Sequence, residues 1–246
     1  MTITRSASRR HPCAPWFEER DGDVAELFPG GRGASRETLE SRCRHLEAWK
    51  APAGFGDLVE RVRREQGDAA ATSLAHVGAG EPVLYTGQQP SFGGGPMFVW
   101  LKAWTAVAQA ERATRLLGRP VRALFWIAGD DSDLREVRAL EDPLLRRVFD
   151  SHGALVPDAR VPVGALPVPF ARRDELARDI GATWSASALP EIVRDAPDLS
   201  GIMLGCLRRW FGDRLLVVDA AWPETRLLAR DVYRRFARAP GAVHDA

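Results

Sequence analysis

Three carboxylates in four residues, Asp130, Asp131 and Asp133, follow an apolar run in Gly129-Asp130-Asp131-Ser132-Asp133. Carboxylates this close can coordinate Mg²⁺, grip a substrate amine or share a proton. Upstream, Gly87-Gln88-Gln89-Pro90-Ser91-Phe92-Gly93-Gly94-Gly95-Pro96 opens a long helical pattern. A glycine loop leading into a helix presents backbone N–H groups at the positive end of the helix dipole, where an anion or carboxylate binds. Gln88 and Gln89 add amide donors and acceptors. Blander readings stand beside both: a tight turn for the glycines, and a helix-capping box for Asp133-Leu134-Arg135-Glu136. Asp130 and Asp131 read as functional because they follow a buried strand. The loop is neither a Walker loop nor GxGxxG. No Gly-Lys-Ser/Thr follows, and the nearest lysine, Lys102, lies well inside the helix.

Other chemistry is sparse. The histidines (His11, His45, His76, His152, His244) show no HxxxH or HExxH spacing, which argues against a structural zinc site and leaves no metal site expected. They assemble no Ser–His–Asp arrangement. Cys13, Cys43 and Cys206 are far apart and fit reduced thiols in a cytosolic protein. Cys206 lies in an apolar helical pattern and reads as core. Trp100, Trp104 and Trp126 lie in regular elements and also read as core. Arg226, Arg230, Arg234 and Arg238 repeat every four residues; a solvated face is the default, a phosphate or partner site the alternative. The 246 residues carry a formal net charge of +1, with 45% hydrophobic and 27% charged residues. No strong field argues for nucleic acid or an anionic membrane, and no apolar run approaches the ~20 residues of a spanning helix. The arginines at positions 5, 9 and 10 precede no apolar stretch, so they form no secretory signal. The expected location is cytoplasmic.

The elements that must position the two loops follow a βαβ order. An apolar strand, 83–86, enters the glycine loop, and Pro96 begins the long helix. On that helix Met97, Leu101, Trp104, Val107 or Ala108, and Leu116 share a face; Gly118 ends it, with Pro120 beyond. The strand 121–128, apolar on both faces, reads as central and covered by helices on each side. Both loops then sit at carboxyl ends of parallel strands, where such sheets bind ligands. The first 80 residues read as a helical preface. Ser35 caps a helix to about Leu46, a second ends near Gly67, and a third covers 69–76 with Leu74 and Val77 buried. Val24 to Gly30 suggests a docking turn. Short strands are expected at 144–149 and 154–168, where the prolines exclude a central position. Helices follow at 173–180 and 199–211, then a buried strand at 215–219 and a helix from Pro223 to about Ala237.

Taken together, the loops resemble one family. Thr86-Gly87-Gln88-Gln89-Pro90, Phe92, Gly94 or Gly95, Pro96 and Lys102-Ala103 match its first motif. Gly118-Arg119-Pro120-Val121, Phe125 through Asp133 and Glu136-Val137 match its second. The family is the cysteine ligase of bacillithiol biosynthesis, its cysteine-adding enzyme. Val24–Gly30 and Leu215–Leu228 are similar to further family segments, so the likeness spans most of 24–237. It implies a Rossmann-like core related to nucleotidylyltransferases. The expected class is then α/β: a Rossmann-like, mainly parallel sheet flanked by helices, with a helical N-terminal preface.

The likeness also implies joining the cysteine carboxyl to the amine of glucosaminyl malate. That chemistry needs an activated carboxylate, donors for the developing oxyanion and a base for the amine. Asp131 or Asp133 suits the base. Gly87, Gln88, Gln89, Gly94, Gly95, Asp130, Ser132 and Glu136 would line the substrate site. ATP is a reasonable energy source, although no recognisable ATP motif is present. Two departures stand out: Ser132 where the family has histidine, and Arg138-Ala139 where it usually has Asn-His. Family members are longer, with a further helical and coiled-coil portion. The chain therefore reads as a disordered tail (1–20) and a single domain (21–246) truncated relative to the family. Expected partners are cysteine and an amino-sugar conjugate, with a homodimer or a separate C-terminal half for assembly. A second reading is an inactive or split relative kept as a binding or assembly module. A third, ranked last for want of an HxGH signature, is a nucleotidyl-transfer enzyme.

Overall fold

A computed structural model describes residues 35–132 (apart from 45, 47 and 48), 162, 164, 173–183 and 187–239. Within them lie three strands: β1 (Val83–Gln88), β2 (Arg122–Ile127) and β3 (Leu216–Asp219). They form one sheet in the order β1-β2-β3, parallel throughout. The long connections permit this parallel pairing, since neither crossover is a tight turn. The register puts Gln88 opposite Ile127, and Ile127 opposite Asp219. All three strands therefore end in one row, and the loops that follow share a rim.

Helices α1 (Arg36–Arg44), α2 (Phe55–Gln66) and α3 (Asp68–Gly78) precede the sheet; α4 (Met97–Leu117) joins β1 to β2. Helices α5 (Arg173–Thr183), α6 (Leu189–Asp195) and α7 (Leu199–Phe211) lie between β2 and β3, and α8 (Pro223–Arg238) follows β3. Local signals set the ends. Ser35 Oγ accepts the Thr38 N–H at 3.2 Å, and Asp198 caps α7 by accepting the Gly201 N–H at 2.8 Å. Gly118 ends α4 in the left-handed conformation. The class is the Rossmann-like α/β arrangement expected. The preface is more than a preface: Leu58, Val59 and Val62 of α2 and Ala70, Ala71 and Leu74 of α3 share one core with the sheet.

Three expectations need correction. The face of α4 bearing Met97, Leu101 and Trp104 is exposed, Trp104 by 61%. The buried stripe is Val99, Ala103, Ala106, Val107, Ala110 and Ala113, and its small side chains let the helix approach β1 and β2 closely. Strand β2 is central, but only Ala123, Phe125 and Ile127 are buried; on the other face Trp126 and the neighbouring Tyr85 are exposed, Tyr85 by 74%. Trp104 and Trp126 are thus not core, whereas half-buried Trp100 stacks on Phe211 at 6.3 Å. The docking turn at Val24–Gly30 and the strands expected at 144–149 and 154–168 fall outside the described residues, Pro162 and Gly164 excepted.

Strand β3 is an edge among the described residues, and a side chain closes it. Buried Gln66 donates to the Val217 carbonyl at 2.5 Å and accepts the Val217 N–H at 3.1 Å. Its amide stands in for the next strand. Gln66→Leu keeps the volume and orphans both backbone groups. It is expected to lower stability by about 2–4 kcal/mol in urea unfolding. A loss below about 0.5 kcal/mol would show that Val217 is satisfied in another way.

Candidate functional site

At the rim, four side chains form one hydrogen-bonded chain. Lys102 reaches back from the second turn of α4 and donates to the Gly87 carbonyl at 3.2 Å and Gln88 Oε1 at 2.7 Å. Gln88 Nε2 donates to Gln89 Oε1 at 2.6 Å, and Gln89 Nε2 donates to Asp131 Oδ2 at 3.0 Å. Chemistry sets the polarity of this relay. An ammonium only donates and a carboxylate only accepts, so each amide turns its oxygen toward Lys102 and its nitrogen toward Asp131. All four groups are half-buried, where such bonds are stronger than in water. Backbone bonds extend the sheet beneath them: Ala128 N–H to the Gln88 carbonyl, and Ala220 N–H to the Ile127 carbonyl, both 2.9 Å.

A second knot holds the acidic loop from below. Asp219, 2% exposed, ends β3 and accepts the Ala221 N–H at 2.8 Å. A Cβ on Gly129 would lie 2.2 Å from Asp219 Oδ1 and 2.8 Å from Ser200 Oγ. Only glycine lets the loop backbone pass this close. The Gly129 carbonyl in turn accepts the Gly164 N–H at 2.8 Å. Burial pushes the Asp219 carboxyl above the usual carboxylate range, while the Ala221 N–H pulls the other way. Burial likewise raises Asp198.

The structure thus brings Gln88, Gln89 and Asp131 together, and Gly87 joins them through its carbonyl. Asp130 is exposed and lines a cavity of about 820 Å³ with Arg226, Arg230 and Arg234. Ser132 is exposed. Gly94 and Gly95 do something other than present N–H groups. Their N–H groups bond the carbonyls of Ser91 and Phe92 inside a 3-10 turn, and a Cβ on Gly94 would lie 2.4 Å from Trp100 Cζ2. This half of the glycine loop packs against α7. Asp133 and Glu136 lie outside the described residues. Among the described residues no group of three His, Cys, Asp or Glu side chains could hold a metal ion. Cys206 is core, as read, its thiol pushed up to about 12 by burial. No described helix is long and apolar enough to cross a membrane.

Two residues of this rim escaped the sequence reading. Lys102 stands in the first family motif with no role assigned to it, and its long side chain returns over the Phe98 ring, 4.5 Å from the centroid, to the strand end. The signal was its place two turns after a loop carrying two glutamines. Asp219 read only as the end of a buried strand. A carboxylate directly after four apolar residues was the available signal.

A family model described as bacillithiol biosynthesis BshC, N-terminal Rossmann-like domain, matches residues 34–233. Similar curated proteins carry the name putative cysteine ligase BshC. One from Shouchella clausii is 24% identical over 241 residues, covering 94% of this chain and 41% of its own length. One from Symbiobacterium thermophilum is 27% identical over 255 residues, covering 92% and 46% respectively. One from Desulforamulus reducens is 26% identical over 176 residues, covering 66% and 31%. The chain spans less than half the length of these relatives.

The buried Asp219 generates a signed pH dependence. A carboxyl raised by folding stabilises the protein below the ordinary carboxylate pKa and loses that contribution as pH rises through the folded value. Asp219→Asn removes the titration, and other groups cancel in the difference between the two proteins. The stability of wild type relative to Asp219→Asn is expected to grow as pH falls from about 7 to about 4, measured by denaturant unfolding. A constant difference, or one that grows with rising pH, would contradict the burial argument.

Proposed function

The chain belongs to the BshC family of bacillithiol biosynthesis, and we propose that its sheet rim binds cysteine and directs its carboxyl to a sugar amine. The observation that carries this reading is the relay from Lys102 to Asp131. It sets a cation and a carboxylate at the two ends of a polar strip, so the rim offers both signs of charge and amide groups to a polar ligand. Gln88 and Gln89 each keep a second amide N–H with no partner among the described residues. Those donors suit the oxygen on which negative charge grows when the amine attacks the carboxyl carbon. A C–N bond forms there, a carboxyl oxygen departs and the amine gives up a proton. In this reading Asp131 takes that proton, and Asp133 follows two residues later in the sequence.

The amine donor in this reading is glucosaminyl malate. Loss of a carboxylate oxygen requires prior activation, for which ATP is the natural reagent. The N–H groups of Gly94 and Gly95 bond within their own turn and form no phosphate cradle at that point. Exposed Ser132, standing where the family carries histidine, favours a second reading: a module that binds cysteine without ligating it.

Incubating the protein with cysteine, glucosaminyl malate and ATP should give a product with the mass of the amide. Asp131→Ala is expected to lower the rate by about 100-fold or more, and Gln89→Ala by at least about tenfold. Calorimetry separates the two readings, because heat with cysteine and no product supports the second. No heat with cysteine, or full activity in both variants, would sink the first.

A further inference from the structure

Helix α8 carries a pattern that the relay does not use. Arg226, Arg230 and Arg234 sit one turn apart and line the same cavity as Asp130, Leu227 and Tyr233. At about 820 Å³ it has the size of a small-molecule site. Three arginines and one carboxylate line it, and a second carboxylate, Asp231, pairs with two of those arginines, leaving a net positive wall. Asp231 meets Arg230 at 3.7 Å and Arg234 at 3.5 Å, while Arg226 has no ion pair among the described residues. Another cavity, at the amino end of the sheet, also holds arginines, but there Arg214 is neutralised by Glu111 at 2.8 Å.

Two further features mark this face. Leu227 and Tyr233 are exposed by 60% and 58% among the arginines, so the wall is apolar and cationic together. The cavity is also anchored at the rim, since Asp130 is the immediate neighbour of Asp131. Guanidinium forks match the paired oxygens of carboxylates and phosphates. An uncharged body attached to such a group would cover Leu227 and Tyr233.

We propose that the groove between Asp130 and the Arg226–Arg230–Arg234 face of α8 is the anion-binding half of the second substrate's site. It takes a small molecule bearing two or more carboxylate or phosphate oxygens and aims its other end at Asp131. The assignment to the second substrate rests on the ligase reading above; the anion site itself does not.

The test is calorimetric titration of the full chain with two probes, succinate for carboxylates and pyrophosphate for phosphates. At least one should bind at low salt with a Kd of about 1 mM or tighter, weakening as ionic strength rises. The double variant Arg226→Gln/Arg230→Gln should weaken that binding at least about tenfold. Arg112→Gln, an exposed arginine on α4, should leave it unchanged. The probe that binds identifies the anion class. Asp131→Ala should lose cysteine binding and keep the anion, so failure of the ligase reading stays distinguishable. Binding of neither probe, equal binding by the double variant, or an equal loss in Arg112→Gln would overturn the proposal. Circular dichroism of the double variant, expected to match wild type, keeps the comparison valid; a loss of helix would point to a structural role for these arginines and count against the site.

Discussion

A positive charge and a negative charge, held apart by two amides, impose their order on the rim of this protein. Lys102 can only donate and Asp131 can only accept, so the Gln88 and Gln89 amides between them have one consistent orientation. That constraint ties three elements: the end of β1, the second turn of α4 and the loop after β2. It also leaves each amide a donor to spare at a place that is only half-buried. A rim built this way has its dipoles aligned in advance.

The relay needs a stable floor, and the sheet supplies it. Parallel register ends the strands at Gln88, Ile127 and Asp219 in one row. Gly129 then slips past the Asp219 carboxylate with no side chain between them. A buried carboxylate is a costly fixture, yet here it pins the loop that carries Asp131. Gln66 performs the matching service at the sheet's edge, where it pairs with Val217. Both devices use a polar side chain to complete what the short sheet leaves open.

Much of this was legible in the residues. The apolar runs before Gly87 and Gly129, and the helical stretch between them, have strong periodic signals; the structure places the corresponding elements within a few residues. The parallel rule put the two loops at one rim, without specifying the Gln89–Asp131 bond. What failed had local causes. Bulky Met97, Leu101 and Trp104 drew the reading of α4 to the wrong face, because apolar size outweighed the less conspicuous alanine stripe that packs on the strands. Gly94 and Gly95 suggested anion donors, but a glycine can equally make room for a neighbour such as Trp100. Lys102 and Asp219 depend on long-range geometry, which single-sequence periodicity does not carry. Helix α6 was missed because a proline and only seven residues leave little pattern to read.

The relay from Lys102 to Asp131 acts as one coupled unit. A double-mutant cycle on folding stability, Lys102→Met with Asp131→Asn, tests this directly. The two charged groups do not bond each other; the glutamines stand between them. The coupled relay predicts a non-additive term of at least about 0.5 kcal/mol, falling to nothing when Gln89 is also replaced by alanine. Additive losses in the double variant would contradict it and reduce the rim to neighbouring, independent side chains.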